Sequence, residues 1–515
     1  MLATWLCLIF SGALWAQASL SGTVVNAVTG EPVKRVAVTL SGASAHDSPA
    51  TVSDGAGKFF FAAVTAGKYR LTAEKAPFLR WEHGQRKPLV AGISLELSDG
   101  EQRTGIAIRL LPGATISGRV TDEDNEPAVG AQITLLRVSY LNGRRQLGAV
   151  GHATADDRGE YRLHSIPPGR FLLRANFDRF FLPARVTQRY LGTYHPAADG
   201  PGRANWLTLA PAAELRAIDV ALRPTATHRI SGTVVDADTG QTLRDANVML
   251  FAATGDDTSE RGFVRNDLGA FTFPAVAPGS YTITAMRTVT GQLTYGRLAV
   301  DVSRDIDNLR VRLEPGLRVE GRVRMEGKEA IDLSKSSLIL ETSEFFGSGG
   351  RITLAADGTF ALGPLAAATV VPQVMNLESV YLREVRVDER PVEGQSIDLT
   401  ALSGTVRLEL VMSANGAVIE GGVGNAVGAI VVLEPQFGQS FRRSRYRVTK
   451  SDQGGNFKLT GIAPGEYRLY AFEDIDDGAW LDSNYMATFS GKGEPVKLAG
   501  KETRTINLRT IAGGQ

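Results

Sequence analysis

Adjacent carboxylates are the first feature of this sequence that suggests chemistry. The stretch DDRGEYRLHSIPPGRFLLRA begins with Asp156 and Asp157. A carboxylate pair can act as general acid and base, or supply oxygen ligands to calcium. Calcium needs six or more oxygens, whereas an acidic turn of this kind offers one or two. Aspartate favours such turns because its side chain bonds to the nearby backbone. We therefore interpret Asp156 and Asp157 as turn residues. The same interpretation applies to Asp54, Asp267, Asp357 and Asp452.

A denser acidic cluster occurs near the end of the chain, in EDIDDGAWLDSNY. This segment is either a calcium loop or a solvated acidic loop, because its carboxylates are numerous but irregularly spaced. The sequence leaves both interpretations open. Its acidic residues are Glu473, Asp474, Asp476, Asp477 and Asp482.

The histidines do not form a zinc site. None has a glutamate three residues later, and none belongs to a His-Glu-x-x-His motif. The sequence also lacks a Gly-x-Ser-x-Gly elbow, a phosphate-binding Gly-rich loop and a dinucleotide fingerprint. We therefore predict that the protein is not an enzyme and needs no cofactor or metal. The six histidines are His46, His83, His152, His164, His195 and His228.

The opening stretch is one copy of a repeat. A Gly-x-aromatic step occurs five times, and a second corner, usually Pro-Gly or Ala-Gly, follows ten residues after each. A Ser-Gly or Glu-Gly step precedes each copy. Five copies of a three-part pattern do not arise by chance, so the pattern reports a repeated fold. The glycines of the preceding step are Gly22, Gly118, Gly232, Gly321 and Gly421; those of the aromatic step are Gly57, Gly159, Gly269, Gly358 and Gly455.

The segments between these glycines are typical of strands. AQITLL places Ala131, Ile133 and Leu135 on one face, and no segment shows a sustained helical period. We predict an all-β fold, a tandem array of about five antiparallel Greek-key sandwiches. The predicted division is a signal peptide over residues 1–18, then sandwiches over 19–112, 113–224, 225–315, 316–411 (divergent) and 412–515.

The repeat resembles the carboxypeptidase regulatory-like domain, a transthyretin-like sandwich that is grouped with starch-binding-like folds. The second copy matches best, with ISGRVTDEDNEPAVGAQITLL followed by the opening stretch. The fourth copy lacks the Pro-Gly corner and matches least. The arrangement is similar to multi-copy exported proteins of Acidobacteria. The resemblance implies a non-catalytic module, and the structural grouping implies carbohydrate binding.

Aromatic residues outside the repeated pattern are the candidate ligand contacts. Sugar rings stack on exposed aromatics, and variable loops on a rigid scaffold are where binding residues concentrate. The alternative is that these aromatics cover the end of their own sandwich. The candidates follow the second corner of the second and fifth copies and are Tyr190, Tyr194, Trp206, Trp480 and Tyr485.

The amino-terminal segment indicates where the protein is located, and its near-zero net charge restricts the partners that it can bind. An apolar run and Ala16-Gln17-Ala18 indicate an export signal, which would remove Cys7, the single cysteine. We expect a periplasmic, outer-surface or secreted protein with no later membrane span. Fifty-six basic against 55 acidic residues disfavour nucleic acid as a partner. We predict a binding or scaffold protein with polysaccharide as the leading ligand, or alternatively a structural stalk or protein-interaction module of the cell envelope.

Overall fold

The computed structural model describes residues 17–42, 48–85, 87–88, 90–141, 143–177, 188–252, 262–265, 269–326, 333–342, 349–377, 379–394, 396–424, 426–436 and 445–513. The fold is 59% strand and 3% helix, which confirms the all-β prediction. The predicted signal peptide lies outside the described residues except for Gln17 and Ala18, and so does Asp267.

The strands fall into five groups that follow the sequence repeats. The first repeat contains β1 (Ala18–Asn26), β2 (Ala37–Ser41), β3 (Ala50–Val52), β4 (Lys58–Val64), β5 (Gly67–Glu74), β6 (Trp81–Glu82), β7 (Leu95–Leu97) and β8 (Gln102–Leu110). The second contains β9 (Ala114–Thr121), β10 (Gln132–Leu141), β11 (Arg144–Thr154), β12 (Glu160–Ile166), β13 (Gly169–Phe177), β14 (Gln188–Tyr194), β15 (Leu207–Leu209), β16 (Glu214–Leu215), β17 (Val220–Ala221) and β18 (Thr225–Ala226). The third contains β19 (His228–Asp236), β20 (Asn247–Ala252), β21 (Gly262–Arg265), β22 (Ala270–Val276), β23 (Gly279–Val289), β24 (Gln292–Val302) and β25 (Ile306–Pro315).

The remaining two groups repeat the same order. The fourth contains β26 (Leu317–Glu326), β27 (Ser337–Thr342), β28 (Gly349–Thr353), β29 (Thr359–Leu365), β30 (Thr369–Met375), β31 (Tyr381–Val387), β32 (Arg390–Pro391), β33 (Ile397–Asp398) and β34 (Thr405–Ser413). The fifth contains β35 (Ala417–Gly422), β36 (Ile430–Pro435), β37 (Arg447–Lys450), β38 (Asn456–Ile462), β39 (Gly465–Phe472), β40 (Glu494–Leu498) and β41 (Thr503–Thr505), with a 3-10 turn at Ala479–Leu481 and a short helix α1 at Ser483–Ala487.

Each repeat divides its strands between two sheets in the same way. In the fifth repeat one sheet has the order β38-β35-β41 and the other β37-β36-β39-β40. The first repeat gives β4-β1-β8 and β3-β2-β5-β6, and the fourth gives β29-β26-β34-β31-β32 and β28-β27-β30-β33. In the third repeat β24 also pairs with β25, which joins the two sheets into one path.

One strand pair in each repeat is parallel, although the sequence favoured antiparallel pairing throughout. The first strand pairs in parallel with a strand at or near the end of its repeat, as β1 with β8, β9 with β17 and β19 with β25. In the third repeat this direction follows from the topology, because its seven strands alternate in direction and β25 therefore runs the same way as β19. In the first repeat, the lack of a side chain at Gly22 of β1 leaves room for both the β8 backbone and the Phe59 ring. A Cβ at that position would lie 2.2 Å from the Ile106 carbonyl oxygen and 2.7 Å from the Phe59 ring.

The Asp-x-x-Gly step of the repeat is a turn held by its own carboxylate. In the first repeat, Asp54 Oδ1 accepts hydrogen bonds from the amides of Ala56 and Lys58, at 2.9 and 2.7 Å. Gly57 has a φ of 75°, a left-handed conformation that disfavours side chains. The turn sets the start of β4, which delivers Phe59 and Phe61 to the core.

The inward-facing side chains form separate apolar cores. In the first repeat the core includes Leu20, Val38, Phe59, Tyr69 and Leu71, all nearly inaccessible to solvent. Comparable clusters occupy the third, fourth and fifth repeats. By backbone contacts the chain separates into two compact units. One comprises residues 1–115 with 164–169 and 209–214, and the other comprises the rest.

Candidate functional site

The predicted ligand aromatics lie in two segments that follow equivalent strands. In the second repeat the segment after β13 forms β14 and a 3-10 turn at Pro201–Arg203. In the fifth repeat the segment after β39 forms the turn at Ala479–Leu481 and α1. Both strands carry an inward aromatic, Phe171 and Tyr467, which place the two segments at corresponding positions of their sandwiches.

Two of the three candidates in the second repeat are engaged by their own sandwich. Tyr194 is only 2% exposed and packs against Leu136, Leu147 and Leu172 on the outer side of the sheet. Its accessible surface leaves no face for a sugar ring. Tyr190 is half-buried; its hydroxyl donates a hydrogen bond to Glu123, and its ring lies 5.7 Å from that of Phe177 between centroids.

Trp206 reaches the solvent, with 36% of its surface exposed. The guanidinium carbon of Arg170 lies 5.2 Å from the centroid of the indole ring. A cation at this distance over a ring face is a cation–π contact. Arg170 therefore occupies part of the space beside the Trp206 ring. The part of the ring that stays exposed is the aromatic surface that this segment offers to a ligand.

Trp480 and Tyr485 belong to a second apolar cluster on the outer face of the fifth repeat. Both are half-buried and pack against a set of nearly inaccessible side chains. The rings of Phe472 and Phe489 lie 5.1 Å apart edge to face, and those of Tyr485 and Phe489 lie 5.4 Å apart. The buried members of this cluster are Ile430, Val432, Tyr446, Tyr470, Phe472, Ile475, Ala479, Met486 and Phe489.

A buried carboxylate lies beneath this cluster. Glu434 is 5% exposed and accepts hydrogen bonds from the hydroxyls of Tyr446 and Tyr470, each at 3.2 Å. Burial raises the pKa of Tyr470 far above its ordinary value, and the neighbouring Glu434 charge raises it further. The phenol is thus kept as a neutral donor, and the carboxylate is satisfied inside the protein.

The acidic segment does not gather its carboxylates around one point. Asp482 caps α1, because its Oδ1 accepts hydrogen bonds from the amides of Asn484 and Tyr485. Glu473 accepts one from the Thr510 hydroxyl at 3.0 Å. Across the described residues, which include all of 473–482, no three His, Cys, Asp or Glu side chains are placed to share a metal ion.

The turn acids are occupied by backbone amides. Asp156 Oδ1 accepts from Arg158 and Glu160 at 2.9 and 2.8 Å. Asp452 Oδ1 makes the same pair of bonds to Gly454 and Asn456, both at 2.8 Å. These contacts assign the carboxylates to the turn.

One participant in the fifth-repeat cluster was missed by sequence reasoning. Tyr140, at the end of β10 in the second repeat, packs against the cluster with its ring 5.7 Å from that of Tyr485. Two signals were available. The β10–β11 hairpin is long, with strands of ten and eleven residues, and AIVVL around β36 is apolar without alternation, which is typical of a strand buried on both faces.

Comparison with known proteins identifies the repeated unit. The carboxypeptidase regulatory-like domain is matched three times, at residues 19–102, 115–188 and 229–314. The predicted resemblance is therefore confirmed for the first three repeats. No curated protein matches the chain.

Several solved structures match this chain at low identity and low TM-score. A streptococcal ancillary pilin is 12% identical, with a TM-score of 0.22 over 58% of this chain and 99% of that one. GBS52, the minor pilin of Streptococcus agalactiae, is 14% identical, with a TM-score of 0.23 over 40% and 97%. The Bacillus anthracis TIE protein is 10% identical, with a TM-score of 0.16 over 76% and 72%. Scores of this size do not carry a functional comparison.

Proposed function

We propose that this protein is an exported, non-catalytic scaffold that acts through protein contacts. The observation that carries the proposal is the use of the candidate aromatics for internal packing. Tyr194 is buried, and Trp480 and Tyr485 belong to an apolar cluster. A carbohydrate platform stacks sugar rings on exposed aromatics, whereas four of the five candidate aromatics are buried or half-buried.

The domain content and the chemistry of the described residues support this role. Carboxypeptidase regulatory-like domains are matched over three repeats. The described acids serve as turn residues and caps, which are structural tasks. No helix among the described residues is both long and apolar enough to cross a membrane. Export rests on the apolar amino-terminal run and Ala16-Gln17-Ala18, and amino-terminal sequencing of the mature protein should begin at Ser19.

Polysaccharide binding is the second candidate, and Trp206 is the observation that favours it. This side chain is exposed, and Arg170 beside it can donate hydrogen bonds to sugar hydroxyls. In this alternative, the second repeat presents the ligand surface and the fifth does not.

Glycan arrays and polysaccharide pull-downs with the full chain distinguish the two candidates. The scaffold proposal expects no saturable binding to any glycan. Binding that Trp206→Ala abolishes and Trp480→Ala leaves intact would replace it with the carbohydrate alternative. Trp480→Ala is the matched control, because it removes the same ring from the equivalent segment.

The division into five domains is part of the proposal. We propose boundaries near residues 112, 224, 315 and 411. The gaps between the groups of strands lie a few residues from these positions at most, at 111–113, 227, 316 and 414–416. Limited proteolysis should cut near these positions and release fragments that resist further digestion. A protected fragment that spans the entire chain would contradict independent domains.

A further inference from the structure

The outer face of the fifth repeat carries a surface that is complete only with a residue from the second repeat. We define the α1 surface as Trp480, Leu481, Tyr485 and Phe489. Tyr140 lies against it and packs with the cluster that includes it. The Tyr140 and Tyr485 rings are 5.7 Å apart at 59°, a tilted contact within the favourable range for aromatic pairs.

The two backbones approach closely on both sides of Tyr140. A Cβ at Gly143, on the hairpin, would lie 2.8 Å from the Leu481 carbonyl oxygen. A Cβ at Gly478, before the 3-10 turn, would lie 3.2 Å from the Tyr140 carbonyl oxygen. The hairpin and the fifth repeat thus each have a glycine where their backbones come closest. The two surfaces are therefore complementary in shape as well as apolar.

The hairpin is built to reach beyond its own sandwich. Strands β10 and β11 remain paired through Leu141 and Arg144, whereas the equivalent strands of the first repeat, β2 and β3, have only five and three residues. On β10, Leu136 is the last fully buried side chain of the second repeat, and Val138 packs partly buried against the same cluster. The extra length therefore carries Tyr140 away from the second repeat.

The charged groups around Tyr140 are consistent with a hairpin that lies against the fifth repeat. Burial raises the pKa of the Tyr140 hydroxyl above its ordinary value. The carboxylates of Asp482 and Asp476 raise it further, while Arg145 opposes them. The hairpin thus brings a cation to the acidic segment of the fifth repeat, and the phenol between them stays neutral.

We propose that the β10–β11 hairpin and the α1 surface form an intramolecular clasp that joins the second repeat to the fifth. The α1 surface takes a hairpin of its own chain as its partner, and an external ligand is not needed to cover it. The clasp is independent of the proposed scaffold function. A chain that binds a glycan through Trp206 could contain the same contact between the hairpin and the α1 surface.

Disulfide trapping in the full chain tests the clasp directly. Tyr140→Cys with Gly478→Cys, in a Cys7→Ser background, keeps Tyr485 and places two Cβ atoms 3.6 Å apart. This distance lies within the range of about 3.5–4.5 Å between the Cβ atoms of a disulfide. Oxidation should convert most of the protein to a faster-migrating single-chain species. Tyr140→Cys with Gly491→Cys is the control, because nothing lies within 4 Å of a Cβ at Gly491.

Three outcomes would overturn the clasp. Trapping no faster than in the control would show that the hairpin and the α1 surface do not meet. A disulfide-linked dimer in place of the single-chain species would make a second copy the partner. Because the cysteines alter the contact, amide exchange gives an independent measurement. Tyr140→Ala should speed exchange across residues 479–489 several-fold, and Tyr190→Ala should not. Equal exchange rates in wild type and Tyr140→Ala would also refute the clasp.

Discussion

The second and fifth repeats present opposite chemistry at equivalent positions on their outer faces. Arg174 in β13 corresponds to Tyr470 in β39, since each lies three residues after the inward aromatic of its strand. Asn176 and Phe472 correspond in the same way, two residues further along. Both strands bury the same inward pattern, an aromatic, a leucine and an alanine, so the sandwiches themselves are alike.

The difference determines what the following segment does. Tyr470 and Phe472 create an apolar outer face, and water is excluded from it only when the turn and α1 fold over it. At the equivalent positions of the second repeat, Arg174 and Asn176 are polar. The apolar outer patch there is smaller, and Tyr194 of the following segment covers it, while Trp206 stays at the surface. The repeat thus fixes the sandwich, while the outward residues of one strand decide how much of the next segment packs as a core.

The largest expected effect comes from removing the apolar outer face. Phe472→Ala should destabilise the fifth repeat by about 3–5 kcal/mol, because a fully buried ring leaves a cavity between the sheet and α1. Asn176→Ala, the equivalent change in the second repeat, should cost less than about 1 kcal/mol. Amide exchange of the full chain, resolved by repeat, measures both. Equal losses in the two variants would remove the distinction between the faces.

The second effect concerns Glu434, whose place in the second repeat is taken by Leu136. Glu434→Ala should destabilise the fifth repeat by about 2 kcal/mol, because two buried tyrosine hydroxyls lose their acceptor. Changing the site to Leu together with Tyr446→Phe and Tyr470→Phe should recover much of the loss, since no donor is then left without a partner. Repeat-resolved exchange checks both. A triple variant less stable than Glu434→Ala would show that the carboxylate is needed for another reason.

Sequence patterns predicted the sandwiches because their determinants are local. Asp54 and Gly57 set a turn, and Phe59 and Phe61 alternate along a strand, so period and turn chemistry suffice. The aromatic candidates were found for the same reason, as residues outside the pattern. Their surroundings were not predictable, because the partner of Tyr485 is Tyr140, hundreds of residues away. No local pattern encodes such a contact, and only the length of β10 and β11 and the apolar AIVVL segment hint at it.

Alkaline pH should destabilise both the second and the fifth repeat, and the loss in the fifth should depend on Tyr470. Burial raises the pKa of Tyr467 and Tyr470 in the fifth repeat, and of Tyr161 and Tyr140 in the second. A raised pKa in the folded state means that stability is fully present below about pH 10, the unfolded value, and falls as the pH rises beyond it. Each such tyrosine removes about 1.4 kcal/mol per pH unit. Repeat-resolved exchange at pH 9, 10 and 11 should show faster opening of both repeats as the pH rises, and Tyr470→Phe should weaken the pH dependence of the fifth repeat alone.

The smallest effect belongs to the exposed indole. Trp206→Ala should cost about 1 kcal/mol, because an exposed cation–π contact contributes about 0.5–1 kcal/mol and the indole, 36% exposed, is only partly buried. Trp480→Ala should cost more, since its ring packs against the cluster of the fifth repeat. Arg170→Ala should reproduce most of the Trp206→Ala loss, and the double variant should add little to either. A Trp206→Ala loss as large as that of Trp480→Ala would mean that both segments are cores, and the outward residues of the strand would no longer explain their difference.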